Sequence, residues 1–298
     1  MNLLLIGLAA MVVAGQDPQI ENPLFDELVQ KGVLMSDGSR ITLPPPTLRE
    51  DMTAAAQRAA ITPLAGAKHT YEDLAEKSLQ APFVLDNPAV PTTDKKSPAR
   101  KIDLYFIAHG DWKKATSEEF LENLWKSVEP RTNDPLASKP VTLKEDQLAR
   151  RDVRLETRPG LEDRYGFARA VLFEKVQLSS TRHAMVTRRG DMVLMAEKID
   201  PRFTNDPDYP NQWRSVTIGE DGKVVLGTPQ EYVHAGSYGL AIPLAEPAGA
   251  IFFEFHMVYE EPHAWFGGTG LVSSKLSLAV QDNLRTFRRR LSVASKPR

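Results

Sequence analysis

The feature that most restricts the fold is the C-terminal run from Ala250 onward. Ile251 to Tyr259 reads as a strand and Leu271 to Val293 as an amphipathic helix. Between them lies Glu260-Glu261-Pro262-His263-Ala264-Trp265-Phe266-Gly267-Gly268. Side chains alternate across a strand. Ile251, Phe253, Phe255, Met257 and Tyr259 therefore share one face, and Phe252, Glu254, His256, Val258 and Glu260 the other. The first face is core. The second is mixed, as in a strand that lines a cavity, or one that turns Glu254 and His256 to solvent. In the helix, Leu276, Val280, Leu284, Phe287 and Leu291 form one apolar stripe, widened by Ala279. Lys275, Gln281, Asp282, Arg285 and Arg289 occupy the polar face. Arg288, Arg289 and Arg290 fall in the last turns, where positive charge complements the helix dipole. Such a basic end also suits peripheral contact with acidic lipid headgroups.

At the other end, Leu3 to Val13 is apolar but shorter than the roughly 20 residues a membrane span requires. It has the length of a signal-peptide core, although no Lys or Arg precedes it, and Val13 and Gly15 suit cleavage before Gln16. A buried first strand or helix is the alternative. The sequence has no cysteine, which removes disulfides, thiolate metal sites, lipid-modified cysteine and cysteine catalysis. A chain of 298 residues can hold a core without such staples. The expected location is export, to a bacterial periplasm or the medium. With 37 basic and 39 acidic residues, nothing in the net charge calls for a nucleic-acid partner. The basic cluster Arg150, Arg151 and Arg154 reads as a solvent-facing helix end.

Residues 16–98 are rich in proline and polar side chains. Pro44-Pro45-Pro46 is an extended break. Short helices are expected at Asn22–Val29, Asp51–Ala60 and Tyr71–Leu79, the last capped by Thr70. A small hairpin is expected across Asp37-Gly38, and a linker over Asn87–Arg100. This part reads as a weakly cored segment that wraps the rest. The main domain, residues 99–298, opens with a strand over Lys101–His109. A helix over Ser117–Val128 follows, capped by Thr116 with Glu119 at the capping-box position. A second short helix is expected over Val141–Leu148, from Thr142 and Glu145 at the same spacing. The strands then run Tyr165–Gln177, Arg182–Thr187, Met192–Lys198, Gln212–Gly219, Lys223–Leu226, Tyr238–Pro243 and Ala250–Glu260. Arg188-Arg189-Gly190-Asp191 and Glu220-Asp221-Gly222 mark hairpin turns, and Gly236-Ser237-Tyr238-Gly239 reads as a turn. Without regular alternation of strand and helix, the class is α+β with antiparallel pairing.

This order of elements resembles the START-like (SRPBCC, helix-grip) superfamily, in which a curved antiparallel β-sheet grips a long C-terminal helix. Ile102 to His109 would be the first strand, Tyr165 through Glu260 the sheet, and Leu271 to Val293 the grip helix. The resemblance rests on element order, with no diagnostic motif. It implies a cavity between sheet and helix for lipids, sterols or aromatic ligands; some members are cyclases or hydrolases, and many only bind. A β-sandwich or an open lipocalin-like barrel competes with it.

The six histidines show no strong metal spacing. His109, Glu254, His256 and His263 are the candidate acid-base residues. Two histidines and a carboxylate among them would ligate zinc or iron if folding brought them together. Trp213, Phe252, Trp265 and Phe266 are the candidate apolar contacts for a ligand. Gly267-Gly268-Thr269-Gly270 precedes a helix, as an anion cradle or a hinge would. Asp200 to Trp213 reads as a lid or partner-binding loop without calcium-loop spacing. The leading expectation is an exported, non-catalytic carrier of a small apolar or aromatic ligand. The alternatives are an envelope enzyme using these histidines, and an interaction module. Cofactor and oligomeric state are left unspecified.

Overall fold

The computed structural model describes residues 22–90, 98–117, 136–220, 223–262, 265 and 271–294. The apolar run at 3–13, nearly all of the expected helix at 117–128, the Asp221-Gly222 pair, His263, Phe266 and the 267–270 glycine stretch lie outside the described residues.

The chain is α+β, with one large antiparallel sheet and a long C-terminal helix. Its strands are β1 (Val33–Leu34), β2 (Arg40–Ile41), β3 (Val84–Asp86), β4 (Ala89–Val90), β5 (Ala99–His109), β6 (Ser138–Thr142) and β7 (Leu161–Leu172). They continue with β8 (Val176–Arg189), β9 (Met192–Ile199), β10 (Gln212–Ile218), β11 (Val224–Leu226), β12 (Gln230–Glu231), β13 (Ala235–Pro243) and β14 (Ala250–Glu260). Hydrogen-bonded neighbours run β6-β7-β8-β9-β13-β14-β5-β3, every pair antiparallel. β10 joins the start of β8, where Trp213 pairs with Leu178. β1 and β2 form a separate ribbon. Among the described residues the long strands thus make one sheet, with no second sheet facing it as a β-sandwich requires.

Both faces of the sheet are covered. On one lies α6 (Leu271–Ala294), whose stripe of Leu276, Val280, Leu284, Phe287 and Leu291 is buried against Phe106, Ile251, Phe253 and Phe255. Phe287 meets Phe106 and Phe253 edge to face at 5.8 and 5.1 Å, a geometry worth about 1 kcal/mol per pair beyond the area buried. On the other lies the proline-rich segment, with α1 (Pro23–Gln30), β1, β2, α2 (Ala54–Ile61) and α3 (Tyr71–Leu74). Asn22 caps α1 through Phe25 N–H and donates to Met185 O on β8. Lys198 on β9 pairs with Glu27 at 2.8 Å. The mixed face of β14 therefore meets neither solvent nor a groove: Phe252 and Val258 pack under this segment, and Glu254 and His256 are buried between them.

Four sequence expectations change, each for a local reason. The single strand expected at Tyr165–Gln177 is two strands, because Phe173 and Glu174 both adopt positive φ (50° and 60°) and reverse the chain without glycine. Gly236 to Gly239 lie inside β13 instead of forming a turn. A Cβ on Gly236 would meet Val33 and Leu28 at 2.7 and 2.8 Å, so glycine there admits the covering segment. Residues 138–142 form strand β6, and after α4 (Trp112–Ala115) the short helix α5 (Glu145–Ala149) starts later than expected, where Gln147 Oε1 accepts Lys144 N–H. Arg151, expected in solvent, is mostly buried against Asp206 and over the rings of Phe203 and Tyr209. That contact folds the acidic 200–213 loop down onto a third small core.

The end of α6 is fixed by one close approach. A Cβ on Gly110 would lie 2.5 Å from Leu291 Cγ, and Leu291 is fully buried. Gly110→Ala should therefore destabilise the fold by about 1–3 kcal/mol through overpacking. The cost should shrink when Leu291 is also cut to Ala, since the two sites are in contact. Urea denaturation of the two single variants and the double variant checks this; additive losses would contradict it.

Candidate functional site

Alternation places three polar residues on the α6 side of the sheet, in phase with core positions. On β8, Arg182 follows Leu178 and precedes Val186; on β9, Glu197 sits between Met195 and Ile199; on β13, Ser237 stands opposite Glu197. Arg182 Nη1 donates to Glu197 Oε1 at 2.9 Å, and Ser237 Oγ donates to the same oxygen at 3.1 Å. Arg182 Nε also donates to Ser180 Oγ at 3.2 Å. All are nearly or fully buried. Buried charges are tolerated when paired and hydrogen-bonded in this way.

These residues form one end of an apolar cavity of about 70 Å³, whose wall continues through Ile102, Leu178, Met257, Tyr259, Trp265 and Leu276. The space suits a few heavy atoms or several waters, and is smaller than the ~150 Å³ dry cavity known to admit benzene. A larger ligand must displace Leu276 or Trp265 from the α6 side. Trp265 stacks edge to face on Trp213 at 6.1 Å and lies 5.1 Å from Tyr232. Burial holds the Tyr232 and Tyr259 hydroxyls well above their ordinary range, so both stay neutral donors.

A second polar cluster lies on the opposite face. His256 Nδ1 is 2.5 Å from Asp103 Oδ1, and its Nε2 is 2.7 Å from Glu254 Oε1. Carboxylates only accept, so both ring nitrogens donate and the ring is an imidazolium. Burial opposes that charge, but the hydrogen bonds to Asp103 and Glu254 outweigh it and raise the pKa above 6.5. Glu254 in turn accepts from Thr47 N–H at 2.9 Å and Thr47 Oγ1 at 3.1 Å, while Tyr238 OH donates to Pro44 O at 2.8 Å. The cluster thus fastens the Pro44-Pro45-Pro46 strap to the sheet. His256 is fully buried, and neither nitrogen is left for a substrate.

The candidate acid-base residues therefore divide. Glu254 and His256 are bonded to each other. His109 is six residues along β5 from Asp103, about 20 Å away at ~3.3 Å per residue, and its Nε2 contacts Ala75 O at 2.8 Å. His263 is outside the described residues, and among the described residues no group of three metal-ligating side chains converges. Of the apolar candidates, Trp265 lines the cavity and Trp213 backs it. Phe252 faces the other way, under the proline-rich segment, because β14 alternation sends it opposite Phe253. Arg182, Glu197 and Ser237 were not anticipated, although a signal exists: each is a polar residue at a core phase of its strand. Asp103 and Thr47 carry no such signal, since strand register alone brings Asp103 to His256 and the folded strap alone brings Thr47 to Glu254.

The strap cluster gives a pH test. A raised folded pKa means that His256 contributes stability fully below its unfolded value of 6.5, and loses it as pH rises through the folded value. His256→Gln should cost about 3–5 kcal/mol below pH 6.5, the scale for breaking a buried ion pair. The gap to the wild type should narrow in alkaline solution. Urea midpoints across pH measure it, and a gap independent of pH would show that the ring is neutral in the fold.

No family model matches the sequence, and no curated protein matches it. Among solved structures, the chain is similar to an uncharacterized protein from Rhizobium leguminosarum, at 14% identity over 65% of this chain and 98% of that one, with a TM-score of 0.31. It is also similar to human STARD10, at 9% identity over 74% of this chain and 84% of that one, with a TM-score of 0.31. Likeness at these scores says nothing about activity.

Proposed function

We propose that this chain is an exported binding or carrier protein for a small apolar ligand that carries one polar group. The observation that supports this most is the cavity under α6, apolar along most of its wall and closed at one end by Arg182, Glu197 and Ser237. An apolar wall rewards burial of hydrocarbon by about 25 cal/mol per Å². A few fixed polar groups in such a site set orientation and discriminate among ligands. A hydroxyl or carbonyl on the ligand would meet the free donors of Arg182 or the Ser237 hydroxyl. The reading of binding without catalysis follows from the chemistry on the wall. The carboxylate and guanidinium there are tied to each other, and the histidine cluster is sealed beneath the strap. The apolar run Leu3 to Val13 supports the export part of the proposal.

Ala235 points into the cavity, so Ala235→Leu should fill it from the sheet side. The variant should keep wild-type thermal stability within a few degrees and bind about tenfold or more weakly, ~1.4 kcal/mol. Binding can be read from tryptophan fluorescence with short-chain alcohols and ketones as probes. Native mass spectrometry of the purified protein would show a co-purified apolar compound. Equal binding by wild type and variant would remove the cavity as the site. Export is checked separately: the mature protein should begin at Gln16, and an uncleaved cytoplasmic chain would refute it.

A further inference from the structure

Among the described buried cations, Arg288 stands apart from Arg182 and His256, which pair with carboxylates. It lies on α6 one turn after Leu284 and is 4% exposed. Its Nε and Nη2 donate to Ile107 O at 3.1 and 3.0 Å, Nη1 to Ala81 O at 2.5 Å, and Nη2 to Pro82 O at 3.1 Å. These bonds occupy four of the five guanidinium hydrogens. All the acceptors are neutral carbonyls. Burial alone pulls the pKa down to about 10, so the group is charged at neutral pH. A buried cation without a counter-anion is costly.

Beside it, between α6 and residues 69–83, is a polar cavity of about 270 Å³. Its polar lining is Arg288, Arg285, Gln281, Gln80 and His69, with no carboxylate among the described lining residues. Arg285 Nε donates to Gln80 Oε1 at 2.9 Å. Asp282 lies 3.6 Å from Arg285 Nη1, but it is 77% exposed and screened by water. The Asp73 carboxylate, which feels His69, is engaged by the N–H of Thr70 at the cap of α3.

We propose that this cavity binds a phosphate group, as a phosphomonoester or a phosphate headgroup. Two guanidinium groups on α6 face amide and imidazole groups on the facing segment. Donors arriving from two sides match the three free oxygens of a phosphate better than the two coplanar oxygens of a carboxylate. The volume exceeds that of the bare ion and leaves room for the substituent that the phosphate carries. The site shares no lining residue with the apolar cavity, so each can fail without the other.

The test uses the full chain with inorganic phosphate and glycerol phosphate, at ionic strength matched with chloride. A saturable 31P shift and a rise in Tm are expected, because a ligand that binds only the folded state stabilises it. Arg285→Gln, at the rim, should weaken binding about tenfold, ~1.4 kcal/mol, while leaving the Tm without phosphate unchanged. Arg288→Gln should abolish binding; if it fails to fold, Gln281→Leu supplies the second variant, with weaker binding expected. Phosphatidylcholine vesicles with and without phosphatidic acid separate the sources. Retention that needs phosphatidic acid and is lost in Arg285→Gln assigns a lipid headgroup. Phosphate binding without retention assigns a soluble phosphomonoester. No saturable phosphate binding, or equal binding by Arg285→Gln, overturns the proposal.

Discussion

The central strand β14 is buried on both faces, and the rest of the architecture answers that constraint. A strand with Phe253 and Phe255 on one side and Phe252 and Val258 on the other needs two covers. The helix α6 supplies one and the proline-rich segment the other. An open antiparallel sheet usually leaves one face to water. Here the second face carries Glu254 and His256, which would suit water well, yet the segment is laid over them. Its attachment is consequently polar at its centre: Thr47 to Glu254, and Tyr238 to Pro44. Leu24, Leu28, Ile61 and Leu74 add apolar packing around that centre.

Extended polyproline backbone has no internal hydrogen bonds and loses little entropy when fixed. Its exposed carbonyls and following N–H groups are therefore available to partners on the sheet. Glu254 and Tyr238 use them. Glu254 is fully buried under the strap, and Asp103 faces His256 from β5, so the imidazolium between the two carboxylates lowers the cost of burying Glu254. The histidine thus supports the strap through Glu254, with no direct contact to it among its hydrogen bonds. The covering segment and the sheet depend on one another: without the strap, Glu254 would lack its Thr47 donors, and without the cluster the strap would lose its central anchor.

Much of this fold is legible in the sequence where a pattern is local. The stripe on α6 falls where its three- and four-residue steps place it, and β14 and the cap at Thr70 follow the same logic. The misread places are those where a distant partner decides. Gly236 looks like a turn residue until Leu28 and Val33 are packed against it. The reversal at Phe173 and Glu174 has no glycine or asparagine to announce it. Of the site residues, Trp265 was legible as an aromatic beside the last strand. Phe252 was assigned to a ligand because alternation alone cannot tell which of two buried faces holds the cavity. From sequence Arg288 reads as a partner of the helix dipole, since position along the chain shows the end of a helix but not the carbonyls of Ile107, Ala81 and Pro82 waiting there.

The described buried cations sort into two kinds, and the difference locates function better than residue type does. Arg182 has Glu197, and His256 has Asp103 and Glu254. In both clusters opposite charges meet within hydrogen-bond distance, so the interior is electrostatically satisfied whether or not a ligand is present. Among the described residues Arg288 has dipoles only. Three carbonyls orient the guanidinium and return part of its lost hydration, but they do not neutralise it. A cheaper solution was available, since a leucine or methionine would continue the stripe of α6. Retaining a full positive charge under 4% exposure, next to a polar cavity with two further cationic or ionisable side chains and no acid among its described lining, leaves an electrostatic field that no described lining residue terminates. In a low-dielectric wall such a field acts most strongly on whatever enters the cavity, and an anion is the species it favours.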